Sequence, residues 1–175
     1  MVQTIAETLW FFLPAFFANQ CPGFAAKLQL PGHVPVSVRW LGANKTWSAY
    51  YAAALGATVV FWLQQWLFQE TNVHYGWYVA TSWSEILLIG SLFGIGAVLG
   101  DHGESFVKRR IGIAPGRPWR PFDQIDFAVG ALLCIYPIAG WIGWDRVLVI
   151  LVVAIAGHPL VNGLGYQLGI RKTWH

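Results

Sequence analysis

Charge is scarce in this chain. Only 11% of its 175 residues are Asp, Glu, Lys or Arg, while 56% are apolar. With a mean hydropathy of +0.50, that balance excludes an ordinary water-soluble globule, which carries about a quarter of its residues charged. Cysteine is nearly absent as well. Cys21 and Cys134 stand far apart, make no metal-type spacing and give no disulfide framework, so both read as plain apolar residues. There is no internal repeat and no low-complexity tract, and the length fits one domain spanning residues 1–175. The first apolar run, Ile5 to Phe17, lacks a basic flank before it and a small-x-small cleavage site after it. We therefore expect it to be retained rather than cleaved as a signal.

What remains is grease and tryptophan. Eleven Trp is a heavy load, and Trp gathers where a membrane meets water because its ring is half polar. A helix crosses a hydrocarbon layer of roughly 30 Å with about 20 apolar residues at about 1.5 Å each. Five segments meet or approach that length: Val2 to Ala18, Trp47 to Phe68, Trp77 to Leu99, Phe127 to Trp144 and Val147 to Leu168. The expected fold is thus an all-α membrane protein with five transmembrane helices. Alternating the loops between two sides places ten of the eleven Lys and Arg residues on one side, leaving Arg146 on the other. The positive-inside bias then puts the N-terminus outside and the C-terminus in the cytoplasm. Two long cytoplasmic loops result, Asn19 to Thr46 and Gly100 to Asp126, both longer than a connection requires and so candidates for function. Net charge is only +3 and the basic residues sit beside apolar runs, so a membrane and no nucleic acid is the expected partner.

The second loop, GDHGESFVKRRIGIAPGRPWRPFDQIDF, holds Lys108, Arg109, Arg110, Arg117 and Arg120 together with Asp101, Glu104, Asp123 and Asp126. If a helix starts near Asp123, the spacing of three sets Asp123 and Asp126 on one face near a helix N-terminus, where carboxylates stay ionised. Two ionised acids form a small hard-oxygen site suited to Mg²⁺, which fills the rest of its shell with water and phosphate. A helix cap explains one of the two, but not the one abutting the apolar span. Ser105, Lys108 and Arg109 follow an i, i+3, i+4 pattern that would offer a hydroxyl and two cations to a polyphosphate. Basic clusters beside spans also serve as orientation signals and bind anionic lipid heads. Neither of those roles uses interspersed carboxylates, whereas a metal–nucleotide site needs both signs. Lys45 and Thr46 look like the tail of a P-loop, but Arg39 and Asn44 stand where glycines would be required. Lys45 stays as a phosphate contact. His158 and Asn162 share a face suited to interhelical hydrogen bonding, and His33, His74, His102 and His175 make no ligand spacing.

These motifs resemble a known family. GDHGESFVKRRIGI followed by PFDQIDF is similar to the signature of the membrane CDP-lipid synthases, most closely its CDP-archaeol synthase branch, in which Ser-x-x-Lys-Arg and a Gly/Pro-rich turn precede Asp-x-x-Asp. LPAFFAN, GANKTW and HPLVNGLGYQLGIRK look like further landmarks of that branch, although Glu104 stands where a basic residue is usual. The resemblance implies an Mg²⁺-dependent nucleotidyltransferase. A lipid phosphate, of the unsaturated digeranylgeranylglyceryl type, would attack the α-phosphorus of CTP and release pyrophosphate at the cytoplasmic face. It implies Asp123 and Asp126, with Asp101, as metal ligands. Lys108, Arg109, Lys45 and Thr46 would bind the nucleotide, and Ser105 would orient it. Ester-linked phosphatidate as the lipid substrate stays open, as does a homo-oligomeric state. A CDP-alcohol phosphotransferase is excluded, since the chain has no Asp-Gly pair. A small transporter fits poorly, since its spans would carry ionisable groups near mid-membrane and show repeat symmetry.

Overall fold

The computed structural model describes residues 2–71, 80 and 82–167. Six helices lie within them: α1 (Val2–Ala18), α2 (Cys21–Lys27), α3 (Trp47–Thr71), α4 (Trp83–Arg110), α5 (Phe122–Ala139) and α6 (Trp144–Gln167). Five are long and α2 is a short turn of helix in the first inner loop. No strand is present among the described residues, where one isolated bridge joins Pro35 to Thr46. By length and composition, α4 and α5 are long and apolar enough to cross a membrane.

The expected third segment ends at Leu99, but α4 runs on through Arg110, so the charged stretch from Gly100 is helix and not loop. Polar residues do not stop a helix that has left the apolar layer, and the i, i+4 pair Glu104–Lys108 supports its last turns. Ser82 caps the N-terminus by accepting from the Glu85 amide at 3.3 Å. At the other end Gly112 has φ +81° and the Ile113 amide reaches the Lys108 carbonyl at 2.9 Å, a Schellman closure. The fourth segment is likewise displaced from the expected Phe127–Trp144. Helix α5 begins at Phe122, directly after Pro121, and ends at Gly140 with φ +68°. The inner loop therefore shrinks to residues 111–121. Of the remaining expectations, Trp77 and Leu168 lie outside the described residues.

Helix α4 is the axis of the bundle, and its glycines explain why. On one side Gly90 and Gly94 face Thr58, Ala53 and Ala54 of α3. On another, Gly96 and Gly100 face Asp126, Gly130 and Ala131 of α5. A methyl group at Gly96 would lie 2.8 Å from the Ala131 Cα. Two Gly-x-x-x-Gly pairs on one helix thus seat a neighbour on each side at backbone contact, the small-residue packing that joins helices where no hydrophobic force separates protein from lipid. Helix α1 closes the bundle with Phe11 and Phe12, whose rings meet Phe93 of α4 edge-on at 5.4 and 5.9 Å.

The first inner loop folds back on itself. The Val36 amide bonds the Lys45 carbonyl at 2.7 Å and the Trp47 amide bonds the Val34 carbonyl at 3.1 Å, so the chain returns to the start of α3 as a narrow hairpin. Trp40 stacks on Phe106 of α4 with centroids 5.9 Å apart, and the Arg110 guanidinium lies 4.4 Å and 3.6 Å from the two ring centroids. This clamp fixes the hairpin, and with it Lys45, against the protruding end of α4.

Candidate active site

The turn after α1 with the start of α2, the hairpin, the start of α3, the end of α4, the 111–121 loop and the start of α5 line a cavity of about 630 Å³. That size lies within the usual range for a small-ligand site. Five cations (Lys45, Lys108, Arg109, Arg117 and Arg120) and four carboxylates (Asp101, Glu104, Asp123 and Asp126) line it. Ser105 and Gln124 add uncharged polar groups, while Ala49, Ala97 and Val98 form an apolar wall on the bundle side.

The charges are arranged in two groups. Lys45 Nζ contacts both oxygens of Asp101 at 2.6 Å, an ion pair between residues of the hairpin and α4. Lys108 Nζ lies 3.0 Å from Glu104 Oε1 and 3.4 Å from Asp123 Oδ2. Asp123 Oδ2 also accepts the Trp119 amide at 2.8 Å, which fixes the loop ahead of α5. Lys108 and Glu104 are almost closed to solvent, with 8% and 6% of their side-chain surfaces exposed, so this pair is held in a setting where charge interactions are poorly screened. Arg109 Nη1 donates to the Ile113 carbonyl at the turn after α4, and Ser105 Oγ donates to Glu104 Oε2 at 3.4 Å.

Asp123 and Asp126 both line the cavity, but they turn to different partners. Asp123 faces Lys108, whereas the charges acting on Asp126 are Asp101, Lys45 and Glu104. The close approach of Gly100 to the Asp126 backbone brings these carboxylates of α4 and α5 together. Of the carboxylates, Asp101 and Glu104 of α4 act on Asp126, whereas Asp123 is engaged by Lys108 and the Trp119 amide. Among the described residues no three His, Cys, Asp or Glu side chains form a ready-made metal cage. Thr46 does not line the cavity: it is buried, with its hydroxyl 3.0 Å from Ser48 Oγ. The side chains of His158 and Asn162 lie outside the described set, as do His74 and His175, and His33 Nδ1 sits 3.2 Å from Ser48 Oγ.

Sequence reasoning counted Glu104 among the interspersed acids without a partner, and it missed His102 as a member of the wall. Glu104 is drawn in by Lys108, a partner visible at helical spacing once the stretch is known to be helix. His102 is buried, with Nδ1 2.7 Å from the Tyr50 hydroxyl of α3, a contact spanning fifty-two positions that no local pattern announces. The cysteines stay out of the chemistry. Cys21 packs against Phe17 and Gly56, and burial pushes its thiol up to about 11, so it is protonated and unreactive at neutral pH.

A family model described as "CarS-like: CDP-archaeol synthase" matches residues 1–175. The chain is 34% identical over 175 residues to a CDP-archaeol synthase of Methanopyrus kandleri, covering 97% of this chain and 92% of that one. It is 30% identical to the CDP-archaeol synthase of Pyrococcus horikoshii, with 98% of each covered. Among solved structures it is similar to one described as an intramembrane enzyme for archaeal membrane lipids biosynthesis. The TM-score is 0.70 at 25% identity, covering 90% of this chain and 94% of the other.

Proposed function

The chain belongs to the CDP-archaeol synthase family, and from that membership we propose that its cavity transfers the cytidylyl group of CTP to a membrane lipid phosphate, making CDP-archaeol-type lipid and pyrophosphate. One observation carries this reading. The motif residues Asp101, Ser105, Lys108, Arg109, Asp123 and Asp126, together with Lys45 from the distant hairpin, all face one cavity at one end of a helical bundle.

The chemistry follows from the charges. A lipid phosphate oxygen attacks the α-phosphorus, and the bond to the bridging oxygen of pyrophosphate breaks. Both reactants are anions and negative charge builds on the leaving group, so the barrier is lowered by fixed cations and alignment, without a covalent enzyme intermediate. Lys45, Lys108 and Arg109 offset the triphosphate charge from two sides, and Arg117 and Arg120 draw it in from the loop. Asp123 holds Lys108 in position from α5. The apolar wall of Ala97 and Val98 opens the bundle side of the cavity to a lipid head whose tails lie among the helices.

Mg²⁺ fits this donor set. Asp101 and Asp126 both line the cavity and act on one another electrostatically, and the Lys45 ammonium held on Asp101 supports a cation at that position. When bound, the ion would neutralise phosphate charge and stabilise the departing pyrophosphate. Asp101 and Asp126 are the residues that would hold it. The cavity faces the cytoplasm, where CTP is available.

The test is turnover by purified protein in detergent or liposomes, with labelled CTP, Mg²⁺ and a panel of ether-linked and ester-linked lipid phosphates. The expected result is labelled CDP-lipid and stoichiometric pyrophosphate, highest with the unsaturated ether lipid. Absence of CDP-lipid across the whole panel overturns the assignment. A preference for ester-linked phosphatidate transfers it to that substrate.

A further inference from the structure

His102 lies in the cavity wall next to Asp101, and it is one of the most enclosed polar side chains there, with 4% of its surface exposed. One ring nitrogen is accounted for: Nδ1 is 2.7 Å from the Tyr50 hydroxyl, and the two rings meet edge-on with centroids 5.0 Å apart. The other, Nε2, is buried and has no hydrogen-bond partner among the described residues. With the tyrosine hydroxyl donating to Nδ1, a neutral imidazole carries its proton on Nε2. Leaving such a donor unmet is costly, and buried polar groups almost always find a partner. An anionic oxygen such as a phosphate's is the acceptor this cavity attracts, because Lys45, Lys108 and Arg109 line it together with His102.

We propose that His102 is a substrate-binding residue whose Nε2–H donates to a phosphate oxygen of a reactant, with Tyr50 fixing the ring so that the donor is available. This deepens the cytidylyl-transfer reading and rests on it. The phosphate belongs either to CTP or to the lipid, and separate Michaelis constants distinguish them.

Two substitutions split the ring. In His102→Gln the side-chain amide nitrogen takes the place of Nε2. In His102→Asn the amide keeps an acceptor for Tyr50 but cannot reach the Nε2 position. A hydrogen bond to a charged oxygen corresponds to roughly tenfold or more in affinity. The expected result is that His102→Asn raises KM for CTP or for the lipid phosphate about tenfold, with kcat changed less. His102→Gln should stay within about threefold of the parent, and both variants should melt at the parent temperature. Tyr50→Phe, which removes the constraint on the tautomer, should fall between them. A rise in KM for CTP assigns the contact to the triphosphate, and a rise for the lipid assigns it to the lipid phosphate. Unchanged Michaelis constants in His102→Asn overturn the proposal. So do equal losses in the Asn and Gln variants, or a fall in kcat alone. The parent protein is the control: if it makes no CDP-lipid, the functional reading fails, whereas an active parent with the wrong variant pattern sinks only the role of His102.

Discussion

At the scale of single residues, the cavity assigns unequal parts to carboxylates that look alike in the sequence. Asp126 lies under the charge of Asp101 on the neighbouring helix, and Asp123 steers Lys108 while tying down the Trp119 amide. Removing charge at the two positions should therefore have different effects. Asp126→Asn takes away a proposed metal oxygen, so kcat/KM should fall more than about 100-fold and the Mg²⁺ concentration needed for half-maximal rate should rise. Asp123→Asn leaves the metal oxygens in place, so its defect should be read mainly in KM for CTP, with the Mg²⁺ requirement little changed. Rates measured across a Mg²⁺ titration decide it, and identical Mg²⁺ curves for the two variants would refute the division. Lys45→Met should raise KM for CTP about tenfold, since it removes a charge-assisted contact to phosphate. The same substitution leaves Asp101 without its ion-pair partner.

At the scale of elements, α4 matters because it has glycine where neighbours must approach and polar residues where the bundle ends. Gly100 touches the backbone of Asp126, so Gly100→Val must push α5 away, moving the carboxylate and loosening the pair together. Overpacking of this kind costs about 1–3 kcal/mol, and we expect a lowered melting temperature in detergent accompanied by loss of activity. Gly103, three residues on, has open space where a side-chain methyl group would sit, with no atom within 4 Å, so Gly103→Ala should hold or raise the melting temperature by its better helix propensity. Melting curves of the two variants test the contrast, and a similar loss in both would sink it. The apolar runs were legible as helices because length and hydropathy alone define them. The end of α4 was not, because charge density was read as departure from helix, whereas a helix needs only about 20 residues to cross and may continue into water. Cavity membership was legible for Ser105, Lys108, Arg109, Asp123 and Asp126 at short spacing. The partnerships Lys45–Asp101 and Tyr50–His102 join distant stretches, so only the packed helices reveal them.

At the scale of the whole molecule, the charged groups of the cavity gather at one end of the bundle. The cavity and its five cations sit where α1 and α4 end and α3 and α5 begin. The opposite end has the Gly140–Gly143 turn, with the Trp141 and Trp144 rings 4.8 Å apart and Asp145 3.8 Å from Arg146. Tryptophans of that kind mark an interface, and basic residues are retained on the cytoplasmic side. A triphosphate cannot cross the hydrocarbon layer, so the cationic end must be the cytoplasmic one if the chain uses cellular CTP. Single cysteines report this directly. Cys21 gives little background, being buried with its thiol pushed up to about 11, and replacing Cys21 and the half-buried Cys134 with Ala removes what background there is. In intact cells a membrane-impermeant maleimide should label Trp141→Cys and leave Arg117→Cys unmodified, while in inverted vesicles the pattern should reverse. Labelling of Arg117→Cys from outside intact cells would turn the molecule over and separate the cavity from its nucleotide.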